Sequence, residues 1–271
     1  MQIGFLTACM RNKDTLEIIR WAAGAGFTRL EMTSAHVGLE KDASRDEAVK
    51  KALSSGAVHL SSIAHYDGGI LNDPDKSVEA LKKAVDRCVY FDTDVLCALA
   101  GLPLANKTKE ESIRERLGLV FKPVCAYAAD KGIKVALENW FATCIQDFGL
   151  WDLAIETVGA ENFGFNYDPS HLLWQGIDYI GGVRLYADRI FHVHAKDTSI
   201  DDAVRMRVGY LARGWWRYTI PGRGRVDWGE FVSALGKVKY QGVLSIEHED
   251  GSVGVEDGLL LGKKYLENFV A

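Results

Sequence analysis

Four apolar segments of this chain each stop on a side chain that can hold a metal ion or move a proton. Val135-Ala136-Leu137 runs into Glu138, and Phe165-Asn166-Tyr167 into Asp168. Ile190-Phe191-His192-Val193 ends at His194, and Val243-Leu244-Ser245-Ile246 at Glu247. His171 follows Asp168 by three residues, across Pro169 and Ser170. Short apolar runs of this kind read as strands, so the acids and imidazoles stand at strand exits. Three carboxylates and one imidazole brought together would repel strongly if bare. A divalent cation removes that repulsion. Mostly oxygen donors with one nitrogen suit one Mn²⁺, with Mg²⁺, Co²⁺, Fe²⁺ or Zn²⁺ as alternatives. No thiolate is offered, which disfavours a structural zinc site.

Taken singly, each residue has an ordinary explanation. Glu138 reads equally as a solvated strand-end acid, and Asp168 before Pro169 as a turn residue. Glu247 opens the acidic run Glu247-His248-Glu249-Asp250. His192 and His194 alternate with Phe191 and Val193, so both face one side of a strand. One is then an interior histidine and the other a ligand. His194 is assigned to the metal because it lies nearer the strand's C-terminal end, where barrel chemistry sits. Four coincidences at four strand ends are harder to accept than one.

A repeated strand–helix unit must position these residues. Strands are expected at Ile3–Leu6, Phe27–Met32, Val58–Ala64, Asp94–Leu99, Ile133–Glu138, Phe163–Asp168, Ile190–His194 and Val243–Glu247. Helical spacing and capping residues fill the intervals, with Asp14 and Asp73 as helix starts. Pro123 interrupts a long helical pattern over Lys109–Lys131, so a kink or break is expected there. Eight such units without a linker predict an α/β protein, a single-domain (β/α)₈ TIM barrel over residues 1–271. An open doubly wound sheet is the alternative. A closed ring is favoured because only closure brings all the polar strand ends together. The segments His65–Pro74 and Ser199–Gly224 are long for α/β connections and are expected to form the site's rim.

The 271 residues, with a net charge of −5 and no basic stripe, argue against a duplex-binding protein. Cys9, Cys88, Cys97, Cys125 and Cys144 lack metal-knuckle spacing and read as small buried hydrophobes in a reducing compartment. No basic leader and no long apolar run is visible, so a cytoplasmic protein without a membrane partner is expected. A homo-oligomer is compatible with exposed barrel helices.

Several motifs extend the same site: Leu137-Glu138-Asn139, Asp168-Pro169-Ser170-His171, His192-Val193-His194-Ala195-Lys196-Asp197, Pro221-Gly222-Arg223-Gly224 before Val226-Asp227-Trp228, and Ile246-Glu247-His248. In that order they resemble the xylose isomerase-like TIM-barrel superfamily, in its sugar phosphate isomerase/epimerase branch, over essentially the whole chain. The resemblance implies that Glu138, Asp168, His194 and Glu247 bind one metal while His171 reaches the substrate. It also implies that Glu138 and Glu247 serve as acid and base. The AP endonucleases of this superfamily carry further metal-binding histidines. Leu99, Trp216 and Tyr218 stand at those positions here, and only His65 remains. A single-metal site with His65 on the substrate side is therefore expected. Related epimerases place an arginine where this chain has Ile200, so substrate anchoring differs from theirs.

The expected chemistry is proton transfer next to the carbonyl of a ketose or keto-sugar, through a metal-stabilised enediolate. Returning the proton to the opposite face epimerises; returning it to the neighbouring carbon isomerises. His171 would hydrogen-bond a substrate hydroxyl or shuttle a proton between oxygens. Trp140, with Trp174, Trp215, Trp216 and Tyr66, offers aromatic faces for a sugar, although loop packing explains any one of them. Lys196 and Arg223 are candidates for a phosphate or carboxylate, with solvation as the plain reading for the arginine. The alternative reaction is β-elimination after the same first step, as in an inosose dehydratase or in cleavage of a 3-oxo-glycoside. An AP endonuclease-like phosphodiesterase and a non-catalytic barrel subunit remain as further classes.

Overall fold

Seven successive parallel strands and a later eighth close into a ring, in a computed structural model that describes residues 1–270. They are β1 (Gln2–Leu6), β2 (Arg29–Thr33), β3 (His59–His65), β4 (Val95–Leu99), β5 (Lys134–Glu138), β6 (Phe163–Tyr167) and β7 (Ile190–Ala195). A two-stranded hairpin of β8 (Asp197–Ile200) and β9 (Trp216–Thr219) follows, and then β10 (Val243–Ile246), which pairs with both β1 and β7. The helices are α1 (Thr15–Gly24), α2 (Ser34–Val37), α3 (Ala43–Gly56), α4 (Pro74–Tyr90), α5 (Lys109–Ser112), α6 (Gly118–Ala129), α7 (Phe148–Val158), α8 (Pro169–Leu173), α9 (Tyr179–Leu185), α10 (Asp202–Val208), α11 (Trp228–Lys237) and α12 (Val255–Leu266). This is the expected (β/α)₈ barrel, and the open sheet is excluded by the β1–β10 pairing. No described helix is long and apolar enough to cross a membrane.

The helix starts are written in acids. Asp14, Asp42, Asp73, Asp147, Asp178, Asp201 and Asp227 each accept a backbone N–H in the first turn of the helix they precede. Each such cap is worth about 1 kcal/mol. The main core lies between the strands and the outer helices. Inside the ring, the small side chains of Leu6, Ala64, Val95, Cys97 and Ala136 form a separate apolar plug. Register shifts before Glu31 in β2 and before Asn166 in β6 accompany the entry of those two polar residues into the interior.

Two expectations change in detail. The break in the long helical pattern is a π turn at Ile113–Leu117, and Pro123 lies beyond it, inside α6. Pro123 has no N–H for the carbonyl of Leu119, and the helix adapts upstream of the ring. The Ser199–Gly224 stretch is not an open loop. It contributes α10 and most of the β8–β9 hairpin, with Thr198 opposite Tyr218 and Ile200 opposite Trp216. Asp197 anchors this hairpin, accepting the N–H groups of Thr198, Gly222 and Val226 and the indole N–H of Trp228. Gly222 has φ +88°, and a Cβ on Gly224 would collide with the Asp197 carboxylate. That is why the Pro-Gly-Arg-Gly segment needs its glycines.

Candidate metal centre and its cavity

Glu138, Asp168, His194 and Glu247 each present a ligand atom, and the four atoms lie within 4.8 Å of one another. They arrive from the exits of β5, β6, β7 and β10 at the C-terminal mouth of the ring. Asp168 divides its carboxylate between two tasks. Oδ1 caps α8 by accepting from Ser170 N at 2.8 Å, whereas Oδ2 is buried without a hydrogen-bond partner. Asn139 fixes the backbone at this point from both sides, donating to Asp168 O at 2.9 Å and accepting from Asp168 N at 2.7 Å.

The imidazole of His194 is fully buried. Its Nε2 faces Glu31 Oε2 at 3.0 Å, and Nδ1 has no hydrogen-bond partner although Glu247 Oε2 is 3.0 Å away. A carboxylate only accepts, so Glu31 favours the proton on Nε2 and leaves the Nδ1 lone pair facing the acids, with the Asn166 amide N–H at 2.9 Å as the competing donor. Buried polar atoms are normally paired. Two unpaired ones, Asp168 Oδ2 and His194 Nδ1, inside a ring of carboxylates fit a cation.

A second group, Glu31, Cys97 and His192, also lies close enough to share an ion. Its atoms are already used. Glu31 accepts from Tyr66 at 2.6 Å and Ser245 at 2.7 Å, while His192 pairs with Asn166 at 3.0 Å and Ser61 at 3.2 Å. Burial and the Glu31 charge also push the Cys97 thiol well above its usual range. The group reads as interior packing, with His192 as the satisfied histidine.

Lys196, alternating with His194 along the chain, is fully buried among the acids. Its Nζ lies 2.6 Å from Glu247, 3.1 Å from Glu249, 3.2 Å from Asp168 and 3.9 Å from Glu138. Burial opposes its charge, but Glu247, Asp168 and Glu249 outweigh it and hold the ammonium well above the usual lysine range. Burial likewise opposes ionisation of Glu138 and Glu247. For Glu138, His171, His194 and Lys196 reverse that and keep it well below the usual carboxylate range. For Glu247, Lys196 and His194 bring it to about 2, against the neighbouring charge of Glu138. Both glutamates are ionised at neutral pH and can accept a proton.

Above the cluster opens a cavity of about 560 Å³. Glu138, Glu247, Glu249, His171 and Lys196 supply its polar lining; Tyr66, Leu99, Trp140, Phe141, Trp216 and Tyr218 supply the rest. Trp216 stacks on Trp174 at 4.4 Å, with Phe141 edge-on to both. A larger cavity, about 740 Å³, lies at the opposite, N-terminal end of the strands and holds none of the four clustered ligands.

Of the residues expected at a substrate, His171, Lys196 and Trp140 line the upper cavity. His65 and Arg223 do not. His65 turns to Ser34 Oγ at 2.9 Å, and its neighbour Tyr66 takes the place in the wall. Arg223 sits on the loop wrapped around Asp197 and points to solvent, 3.9 Å from Asp250. Glu31, Glu249 and Tyr218 were not singled out as site residues from the sequence. Glu31 carried a weak signal, an acid in an apolar strand, while Glu249 and Tyr218 are placed by loop and hairpin geometry.

Residues 19–268 match the family described as xylose isomerase-like TIM barrel. The chain belongs to that family. Among curated relatives of this xylose isomerase-like barrel, the uncharacterized protein YfiH of Bacillus subtilis is 32% identical over 148 residues, 51% of this chain and 47% of the relative. An inosose dehydratase of Geobacillus thermodenitrificans is 30% identical over 126 residues, 45% of this chain and 42% of the relative. The matches thus span about half or less of those relatives' lengths. Among solved structures, a D-psicose 3-epimerase of Clostridium cellulolyticum bound to D-tagatose superposes with TM-score 0.74 at 17% identity, covering 99% of this chain and 98% of that one. The probable 3-DHS dehydratase AsbF of Bacillus anthracis superposes with TM-score 0.78 at 18% identity, covering 99% of both chains. A zinc-bound IOLI protein gives TM-score 0.79 at 18% identity, covering both chains completely. At these identities the superpositions establish the fold.

Proposed function

We propose that this chain is a divalent-metal-dependent isomerase or epimerase that removes the proton α to the carbonyl of a ketose or keto-sugar. The observation that carries this is the pairing of Glu138 and Glu247. The two glutamates rise from strands three apart around the ring, belong to one ligand cluster and line one cavity. A divalent ion held by Glu138, Asp168, His194 and Glu247, with Mn²⁺ favoured by the oxygen-rich donor set, would stabilise the negative charge that develops on the carbonyl oxygen. One ionised glutamate takes the α-proton through its second oxygen; the other takes up a proton from solvent in the cavity and returns it from across the site, and the first then releases its proton to solvent. Delivery to the opposite face of the same carbon gives an epimer; delivery to the neighbouring carbon gives an aldose–ketose pair. His171 and Lys196 present N–H donors to substrate oxygens, and Trp140, Trp216 and Tyr218 pack against the C–H faces of the sugar.

Glu249 favours a second reading, β-elimination. It lines the cavity, stands outside the ligand cluster and has its carboxyl raised. Lys196 pulls that carboxyl down, but burial and the charges of Glu247 and Glu138 outweigh it. A carboxyl raised in this way suits delivery of a proton to a leaving hydroxyl at the β-carbon.

Incubation of the Mn²⁺-loaded protein with ketoses, inososes and 3-oxo-glucosides in D₂O, followed by NMR, tests both readings. Deuterium at the α-carbon with an epimer or isomer is the expected result; deuterium with an unsaturated product selects elimination. Glu247→Gln should lower the exchange rate by about 10³-fold or more while leaving the metal-free melting curve in place. Absence of exchange from every substrate, with metal binding intact, would sink the α-proton chemistry.

A further inference from the structure

The cavity at the N-terminal mouth of the ring, about 740 Å³, is larger than the one above the metal cluster. Chemistry in such barrels sits at the other mouth, so this space has no part in the reaction proposed above. The first residues of β1, β2, β4, β5, β7 and β10 line it. Four of its residues are cationic, Arg29, Lys131, Lys134 and Lys239, against two carboxylates, Asp92 and Asp94. The chain as a whole has the opposite sign, with a net charge of −5.

Part of that positive charge is unspent. Lys134 pairs with Asp94 at 3.2 Å, and Lys131 with Asp86 at 3.5 Å. Arg29 donates only its Nε, to the neutral side-chain amide of Gln2. Among the described residues, the two terminal nitrogens of Arg29 and the ammonium of Lys239 have no partner, and together they outweigh Asp92. The same wall holds an unused hydroxyl. Thr93 is 7% exposed, and its Oγ1 is buried without a hydrogen-bond partner. Buried polar atoms normally have one. Phe191 and Tyr240 add ring surface beside these groups.

We infer that this cavity is a second binding site, for a small molecule that joins a phosphate or carboxylate to a short hydroxylated body. Arg29 offers its terminal N–H groups as a fork to the anion, and Lys239 adds a point charge. Thr93 meets a hydroxyl of the body, which packs against Phe191 and Tyr240. The volume falls within the range of about 300–1,000 Å³ usual for small-molecule sites. The five residues of β5 put about 16 Å between the two mouths, so the occupant is separate from the ion-binding cluster. The site stands whether or not the α-proton chemistry does.

The test is isothermal titration of the Mn²⁺-loaded protein with glycerol 3-phosphate, glycerate and methyl phosphate. Saturable one-site binding of glycerol 3-phosphate or glycerate is expected, and the tighter of the two names the anionic group. Methyl phosphate, without hydroxyls, should bind more weakly than glycerol 3-phosphate. Arg29→Gln combined with Lys239→Asn should weaken the binding about tenfold or more. Asparagine is chosen because Lys239 has φ +61°, a conformation that asparagine tolerates. Thr93→Val should bring glycerol 3-phosphate down to the level of methyl phosphate. No saturable binding of any of the three up to about 10 mM overturns the inference, and so does an affinity unchanged in the double variant. Binding that vanishes once the metal is dialysed out with EDTA also overturns it, because the anion then sits on the ion at the opposite mouth. Should the double variant fail to fold, Lys239→Asn alone decides, with weaker binding expected and an unchanged affinity overturning the site.

Discussion

The carboxylate of Glu31 lies beneath the ligand cluster, where Tyr66 and Ser245 donate to it and Nε2 of His194 faces it at 3.0 Å. Burial opposes its charge, yet His194 and His192, with the Tyr66 hydrogen bond, hold it at about 2. An ionised Glu31 therefore sets the tautomer and angle of the metal-facing imidazole. Gln at this position keeps the shape but can turn an N–H toward Nε2, which favours the wrong tautomer. Glu31→Gln is expected to weaken Mn²⁺ binding by about 10–100-fold without direct contact to the ion. Isothermal titration measures this, and an affinity within twofold of the parent would refute the assignment. The strand-end acids were legible from residue type and position. Glu31 was visible only as an acid inside an apolar strand, because its partner is 163 residues away in the chain.

The outer helices are clamped by a buried ion pair. Arg87 of α4, 1% exposed, places both terminal nitrogens on the carboxylate of Asp46 in α3, at 2.5 and 2.6 Å, and also donates to Val37 O. The Arg87 hydrogen bonds lower Asp46 from 3.8 to about 2. A carboxylate lowered on folding contributes stability that is complete above its unfolded value and is lost as pH falls through its folded value. The contribution is about 2 kcal/mol, lost between about pH 4 and pH 2. Urea unfolding at pH 5 and pH 2.5 should show an acid loss that is smaller by this amount in Asp46→Asn. That variant should itself lose about 3–5 kcal/mol at pH 7, because it strands a buried guanidinium. An equal acid loss in both proteins would contradict the pairing. The periodicity of α3 and α4 was legible, but not the clamp: an arginine and an aspartate on two helices look like ordinary surface charges until the helices pack. The β8–β9 hairpin escaped for a related reason. Its strands are four residues each and are held by Asp197, so no long alternating pattern marks them.

Closure of the whole ring gathers four ligands separated by up to 109 positions, Glu138 to Glu247, at one point. An unfolded chain cannot present them together, so metal binding is linked to folding. At a free metal concentration about 100-fold above Kd, the native state gains about 2.7 kcal/mol. For a domain of this size that raises Tm by about 5–10 °C. Differential scanning fluorimetry with Mn²⁺, reversed by EDTA, should show the rise, and Glu247→Gln should blunt it. A Tm indifferent to saturating Mn²⁺ would remove the cation from this site.

The order of apolar runs, the helix-capping acids and the absence of linkers determined eight strand–helix units by themselves, because strand and helix periods are local properties of the chain; the polar strand ends favoured closure, and the β1–β10 pairing decided it. The same local reading set an acid or an imidazole at four strand exits. Which nitrogen of His194 faces the acids, which oxygen of Asp168 stays unpaired and why His65 and Arg223 leave the cavity were decided only by tertiary structure. Those outcomes depend on partners brought by other strands and by the hairpin, through distances of about 3 Å that no spacing in the sequence encodes.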